Sequence, residues 1–159
     1  MSNVIGTYAD RFQAERAIDE LKQIGFSDQE VSLIAKEEKA RAEDGENAGE
    51  DSMGISGGVM TGGAIGGMAG LLAGAGLLAI PGIGPIVALG PLAATLGGAA
   101  TGGVAGGLVD LGIPQERGSY YENEVKSGRF LAVVQTDEER ASQAADSMRK
   151  TGANDVEVH

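Results

Sequence analysis

The residue types that could do chemistry in this 159-residue chain are few and poorly grouped. There is one histidine, His159, and no cysteine, so no thiol nucleophile, thiolate metal site or disulfide framework can be built. His159 is the last residue of the sequence, a position prone to fraying, and no Ser-His-Asp set assembles around it. Glu116, Glu122 and Glu124 occur with Arg117 and Lys126 at helical spacing within 114–126, which reads as a solvated helical face rather than an acid–base pair. Tyr120, Tyr121 and Val125 of the same stretch read as packing residues against a sheet or a membrane boundary, not as a ligand stack. The run 37–52 carries seven acidic and two basic residues and reads as a solvated tether. It lacks the Asp-x-Asp-x-Asp-Gly order that a calcium loop needs. Gly-x-Gly-x-x-Gly patterns occur in the middle of the chain, but they do not open a helix after a strand, and no lysine stands there for a phosphate loop. These features predict no enzyme, no cofactor, no metal site and no small-molecule substrate.

What the chain has instead is a pattern of small residues. Gly58, Gly62, Gly66, Gly70 and Gly74 recur every four positions inside an uncharged run of 57 residues, 53–109, that holds 19 of the 27 glycines. Glycine at that density costs an isolated helix roughly 1 kcal/mol per residue relative to alanine, so close packing, lipid or disorder must account for it. Outside the run the chain is acidic, with 12 Lys+Arg against 23 Asp+Glu and a net charge of −11. Nucleic acid is an unlikely partner for such a balance, and so is an anionic lipid surface engaged through a polybasic patch.

The two ends of the chain must position this run, and they match each other. Residues 4–8 predict a strand, 10–24 a helix with Ala14, Ala17, Ile18, Leu21 and Ile24 on one face, and 31–35 a second strand. Ser27 and Glu30 form a local capping pattern before that strand. Residues 130–136, 137–150 and 156–158 repeat the strand–helix–strand order, with Ala141, Ala144, Ala145 and Met148 on the helix. A constant shift of 127 places Asp10 on Asp137, Ala14 on Ala141 and Gly25 on Gly152. The predicted class is α+β: a ferredoxin-like βαβ/βαβ sandwich, four antiparallel strands with two helices on one face, split by an insertion. The ends of the insertion, near Lys36 and Arg129, should then lie close together. The predicted units are 1–36 (first half), 37–52 (tether), 53–110 (glycine-rich apolar helical hairpin) and 111–159 (short helix and second half).

Pro81, Gly82, Gly84 and Pro85 fall near the midpoint of the run and predict the hairpin's apex, with helical arms over 53–80 and 86–110. Either arm is long enough to cross a hydrocarbon core of about 30 Å. On helical spacing Gly58, Gly62, Gly66, Gly70 and Gly74 share one half of the first arm, and Gly90, Ala94, Gly98, Gly102 and Gly106 one stripe of the second. Bulky residues, Leu92, Leu96 and Val104 among them, fall opposite. The expectation is helix packing and self-association through the small stripes, with the bulky faces toward acyl chains or an oligomer core. The first residues, MSNVIGTYADRF, lack the n- and h-regions of a secretory signal.

The opening Val-Ile-Gly-Thr-Tyr, the Ala14-Glu15-Arg16-Ala17-Ile18 segment, the Ile-Pro-Gly-Ile-Gly-Pro apex and Gly90-Pro91-Leu92-Ala93 together resemble the bacterial general stress, or heat-induced stress, proteins of the YflT type. Leu111-Gly112-Ile113-Pro114 followed by Tyr120-Tyr121-Glu122 and Gly128 completes the likeness, which covers nearly the whole chain. The resemblance implies a stress-associated bacterial protein and supplies no reaction. The combined expectation is a non-enzymatic protein whose hairpin inserts into membrane and self-associates, held at the inner membrane with its folded part in the cytoplasm. The alternative is a cytoplasmic homo-oligomer with the hairpins buried in its core.

Overall fold

The computed structural model describes residues 1–42, 76–80, 83–98 and 103–159. In chain order the elements are β1 (Ser2–Tyr8), α1 (Arg11–Gln23), β2 (Val31–Lys36), α2 (Glu37–Ala42), β3 (Gly76–Ile80) and β4 (Gly84–Leu89). They continue with α3 (Pro91–Gly98), α4 (Gly103–Asp110), α5 (Gln115–Lys126), β5 (Phe130–Thr136), α6 (Glu138–Lys150) and β6 (Asn154–Val158). The chain is α+β, as its alternating patterns predict.

Local signals set the boundaries of the flanking elements. Asp10 stays extended before α1, and its carboxylate accepts the Gln13 N–H at 2.9 Å, which satisfies a donor that the helix itself leaves open. Glu30 accepts from both the Ser27 N–H and the Ser27 hydroxyl, at 2.8 and 2.9 Å.

All strands join one antiparallel sheet in the order β3-β4-β2-β5-β1-β6. β1 runs against β5 from Ser2↔Thr136 to Tyr8↔Phe130, and β2 against β5 from Val31↔Val134 to Ile34↔Leu131. The last pair lies two residues short of Lys36 and Arg129, so the two ends of the insertion do meet at one place.

Side chains alternate across the sheet with a period of two. Val4, Tyr8, Leu33, Val87, Phe130, Ala132 and Val134 face one side, where Ala14, Ala17, Leu21, Ala141, Ala144 and Met148 of α1 and α6 cover them. Ile5, Ile34, Ile86, Ala88, Leu131 and Val133 face the other, beneath Leu92, Leu96, Val104, Leu108, Tyr121 and Val125 of α3, α4 and α5. The sheet is therefore buried on both faces, which is why its strands read as nearly continuous apolar runs. A sandwich with helices on one face only is corrected here: the second face is closed by the returning half of the glycine-rich run together with the Tyr-Tyr-Glu helix.

The long helical hairpin expected over 53–110 is also corrected for the described part of the run. Residues 76–80 and 84–89 are strands, and 91–110 contains two eight-residue helices. Among the described residues no helix is long and apolar enough to cross a membrane. The physical reason lies in the segment around Gly84 and Pro85. β-Branched Ile80, Ile83, Ile86 and Val87 favour the pleated conformation, and Pro85 cannot sit inside a helix. Pro85 falls beyond the last β2–β4 pair, Lys36↔Ile86, so its missing N–H removes no bond to β2. The hairpin joins strands, with the Ile83 N–H donating to the Ile80 carbonyl at 3.1 Å. The tether expected over 37–52 is partly structured as well: its first six residues form α2, with Ala40 buried.

Candidate functional site

The small-residue stripe that sequence spacing proposes as a helix-packing surface is where a function was expected. Gly58, Gly62, Gly66, Gly70, Gly74 and Gly102 lie outside the described residues, as do Pro81 and Gly82 of the apex. Gly84 opens β4 at the strand turn, at a φ of +90° with open space around it, and Pro85 follows it in the strand. Gly90 is not in a helix. It turns the chain from β4 into α3 at a φ of +77°, where a Cβ would lie 2.1 Å from the Val31 carbonyl oxygen. At that turn the Leu92 N–H donates to Ser32 Oγ at 3.2 Å, so β2 itself caps α3.

Along α3 and α4 the expected orientation is reversed. Ala94 is exposed, Gly106 faces open space and Gly98 ends α3, whereas Leu92, Leu96 and Val104 are buried against the sheet. The bulky face meets protein, each leucine contributing on the order of 1.5–3 kcal/mol by its burial. The glycines that permit close helix approach are two that the four-residue ladder does not contain. A Cβ on Gly107 would meet Leu96 at 2.7 Å, and one on Gly118 would meet the Ala105 carbonyl at 3.1 Å. Gly118 thus brings α5 directly onto the backbone of α4. Gly107 is the second glycine of the Gly106-Gly107 pair, which a strict four-residue spacing passes over, and Gly118 stands alone between Arg117 and Ser119, where no spacing marks it.

The closest polar constellation joins α5 to β6. Arg117 donates through Nε to Glu157 Oε2 at 2.9 Å and through Nη2 to Glu157 Oε1, a two-pronged pair that fixes geometry as well as charge. The same guanidinium lies over the rings of Tyr120 and Tyr121, 4.5 and 5.2 Å from their centres. The Tyr121 hydroxyl donates to the Asp155 carbonyl at 3.1 Å, and the Tyr120 hydroxyl donates to the Asp155 carboxylate. Asp155 is the described non-glycine residue in the left-handed region, with φ 52°, and it breaks the β1–β6 register between Ile5 and Thr7. α5 therefore holds the bulge of β6 in place.

His159 belongs to this cluster and is not frayed. Its backbone exchanges two hydrogen bonds with Asn3, at 2.7 and 2.8 Å, and its Nε2 lies 2.9 Å from Glu157 Oε2. Burial pushes the Glu157 carboxyl up, but the hydrogen bonds from Arg117 and His159 outweigh it and hold the group below its ordinary range. Burial also raises the Tyr121 phenol well above its usual value. With both carboxylate oxygens committed, the cluster clamps an edge strand. Among the described residues no group of three or more His, Cys, Asp or Glu side chains could hold a metal ion.

Glu122, one turn further along α5, does more than the solvated face it was expected to be. Its Oε2 accepts the Ala105 N–H in the first turn of α4 at 2.8 Å, while Lys126 lies 3.6 Å from its Oε1. A carboxylate there satisfies an open donor and complements the positive end of the helix dipole, an arrangement worth about 1 kcal/mol. Gly103, at a φ of +60°, leaves the room: a Cβ on it would stand 2.8 Å from Glu122 Oε2. Tyr121 packs against the sheet as its sequence setting predicts.

No family model, curated protein or solved structure matches this chain.

Proposed function

We propose that this is a non-enzymatic, stress-associated bacterial protein that works by self-association through its glycine ladder at 58–74. The observation that carries the reading is the fate of the second half of the uncharged run, whose Ile86, Leu92, Leu96, Val104 and Leu108 are buried on the second face of the sheet. The ladder of Gly58, Gly62, Gly66, Gly70 and Gly74 falls in the first half, outside the described residues. Residues 43–75 leave from α2 and return through β3, and α2 and β3 belong to one folded body. That interval is 33 residues, whereas two helical crossings of a bilayer need about 40. A hairpin spanning the membrane twice is therefore disfavoured. The four-residue spacing of small residues favours contact between copies.

A second reading keeps the membrane. Met60, Ile65, Met68, Leu71 and Leu72 supply an uncharged bulky face that a segment entering and leaving one leaflet could bury, placing the protein at the inner membrane rather than free in the cytoplasm. The folded part fits a ferredoxin-like sandwich in either case: the flanking strands run β2-β5-β1-β6 with α1 and α6 on one face, and β3, β4 and α3–α5 are additions to it.

The test is the native mass of the full chain in detergent-free buffer, with vesicles of inner-membrane lipid composition as the second arm. A discrete oligomer that collapses when Gly66→Leu and Gly70→Leu are combined is the expected result. A wild-type chain that stays monomeric at micromolar concentration, or an oligomer indifferent to the double substitution, overturns the self-association reading. Monomers that float with vesicles would support the second reading.

A further inference from the structure

We propose that the cavity between the start of α1, α2 and the α5–β5 turn binds the phosphate group of a small phosphomonoester. The site is independent of the glycine ladder and of the self-association proposed above.

The cavity has a volume of about 400 Å³, and Asp10, Arg11, Lys39, Gly128, Arg129 and Phe130 are among the residues that line it. Three cations therefore stand against one carboxylate, in a chain whose net charge is −11. Salt screens the field of the distant carboxylates beyond about 10 Å at 0.1 M, so the local balance governs what the cavity attracts. That balance is positive. Like charges gathered at one opening repel one another, and a bound anion relieves the repulsion.

Each cation is held in its own way. Arg11 is 8% exposed, and its guanidinium is fixed by Glu15 at 2.8 Å and by the Ala40 carbonyl at 3.2 Å. Arg129 meets Glu124 through Nε at 3.0 Å, while its Nη groups make no hydrogen bond among the described residues. A guanidinium fork of that kind matches phosphate oxygens two at a time. Both carboxylate partners, Glu15 and Glu124, lie outside the cavity lining. Lys39 is exposed and pairs with no carboxylate among the described residues. Its stem lies across the α5–β5 turn, where a Cβ on Gly128 would stand 2.8 Å from Lys39 Cε and 3.3 Å from Cγ. Gly128, at a φ of +100°, thus makes the room that seats the ammonium beside the two arginines.

The remaining lining residues set what else the ligand carries. The Asp10 carboxylate accepts the Gln13 N–H at the positive end of α1, which offsets its charge. Phe130, 2% exposed, gives an apolar wall. The volume exceeds what a bare phosphate fills and falls in the range of small-molecule sites, so the ligand carries an organic group on its phosphate.

Amide NMR on the full chain reads the site, with ribose 5-phosphate and inorganic phosphate as probes and sodium chloride at equal ionic strength as the blank. Saturable shifts at the amides of 9–11 and 127–130 are expected, with ribose 5-phosphate binding more tightly than inorganic phosphate. Lys39→Gln should weaken binding by about tenfold, as the loss of one charge-assisted hydrogen bond does. Glu124→Gln, which releases Arg129 from its partner, should tighten binding by about threefold. Lys150→Gln, at an exposed lysine of α6 outside the lining, should leave the affinity unchanged. No saturable shift at these amides, the same shifts with chloride, or an equal loss in Lys150→Gln overturns the site. Equal affinity for the two probes overturns the organic group alone. Vesicles of phosphatidic acid against phosphatidylcholine separate the sources of the phosphate. Flotation with phosphatidic acid that inorganic phosphate reverses and Lys39→Gln abolishes would assign it to a lipid headgroup and overturn the soluble ligand. Absence of such flotation supports the soluble one.

Discussion

Gly90 and Gly106 are both members of the spacing that predicts a packing stripe, yet their surroundings demand opposite outcomes from the same substitution. At Gly90 an added Cβ meets the Val31 carbonyl oxygen at 2.1 Å in a left-handed backbone, so Gly90→Ala should cost more than about 3 kcal/mol in a urea unfolding midpoint. Gly106 sits inside α4 with nothing within 4 Å of its would-be Cβ, and Gly106→Ala should stabilise by about 0.5–1 kcal/mol. Identical effects at the two positions would sink this assignment. A titration probes the β6 clamp. Glu157 is held below its ordinary range, and so is Glu30, chiefly by the Ser27 backbone N–H. Their contributions are complete above the unfolded carboxyl value of about 4.3 and are lost as pH falls through the lower folded values. Asp19, raised mainly by burial, acts in the opposite sense. Stability should fall from about pH 4.5 downward, and Glu157→Gln should flatten that fall. An unchanged slope in the variant would place the pH dependence elsewhere.

At the scale of elements, α3 decides between two accounts of the bulky residues. Leu92 is fully buried above Ile86 and Ile34 in the same cluster, so Leu92→Ala should cost on the order of 2–5 kcal/mol in lipid-free buffer. A loss under about 1 kcal/mol is what an acyl-chain contact would give without lipid. The flanks were legible in the sequence because their polarity alternates: Ala14, Ala17, Ile18 and Leu21 mark a buried stripe on an otherwise charged helix, and Phe130–Thr136 stands between Gly128 and Asp137. Residues 76–110 carry no charge before Asp110, so nothing in their polarity separates inside from outside. Size was the remaining cue, and it is ambiguous, since Leu92, Leu96 and Val104 fit against a sheet as well as against lipid. Short apolar runs such as 76–80 also satisfy strand and helix patterns equally. The Arg117–Glu157 and Glu122–Ala105 contacts join residues 40 and 17 positions apart. No local spacing announces either.

For the whole molecule, covering both faces of the sheet leaves the sheet itself open to other copies at its edges among the described residues. One edge is β6, which presents Asp155 and Glu157 and is broken by the left-handed Asp155, features that discourage strand-to-strand addition. The native-mass measurement on the Gly66/Gly70 double variant therefore tests the ladder without a competing route through that edge.

The register of β1 with β5 also has a temporal side. Ser2 pairs with Thr136 and Tyr8 with Phe130, so the first strand leaves the ribosome long before its partner is made. At about 5–20 residues per second the interval is on the order of 10 s. Through that interval β1, β2 and the growing apolar run have no completed sheet to receive them. The glycine ladder is synthesised within that window, in which unpaired strands and apolar surface are at their most prone to aggregate.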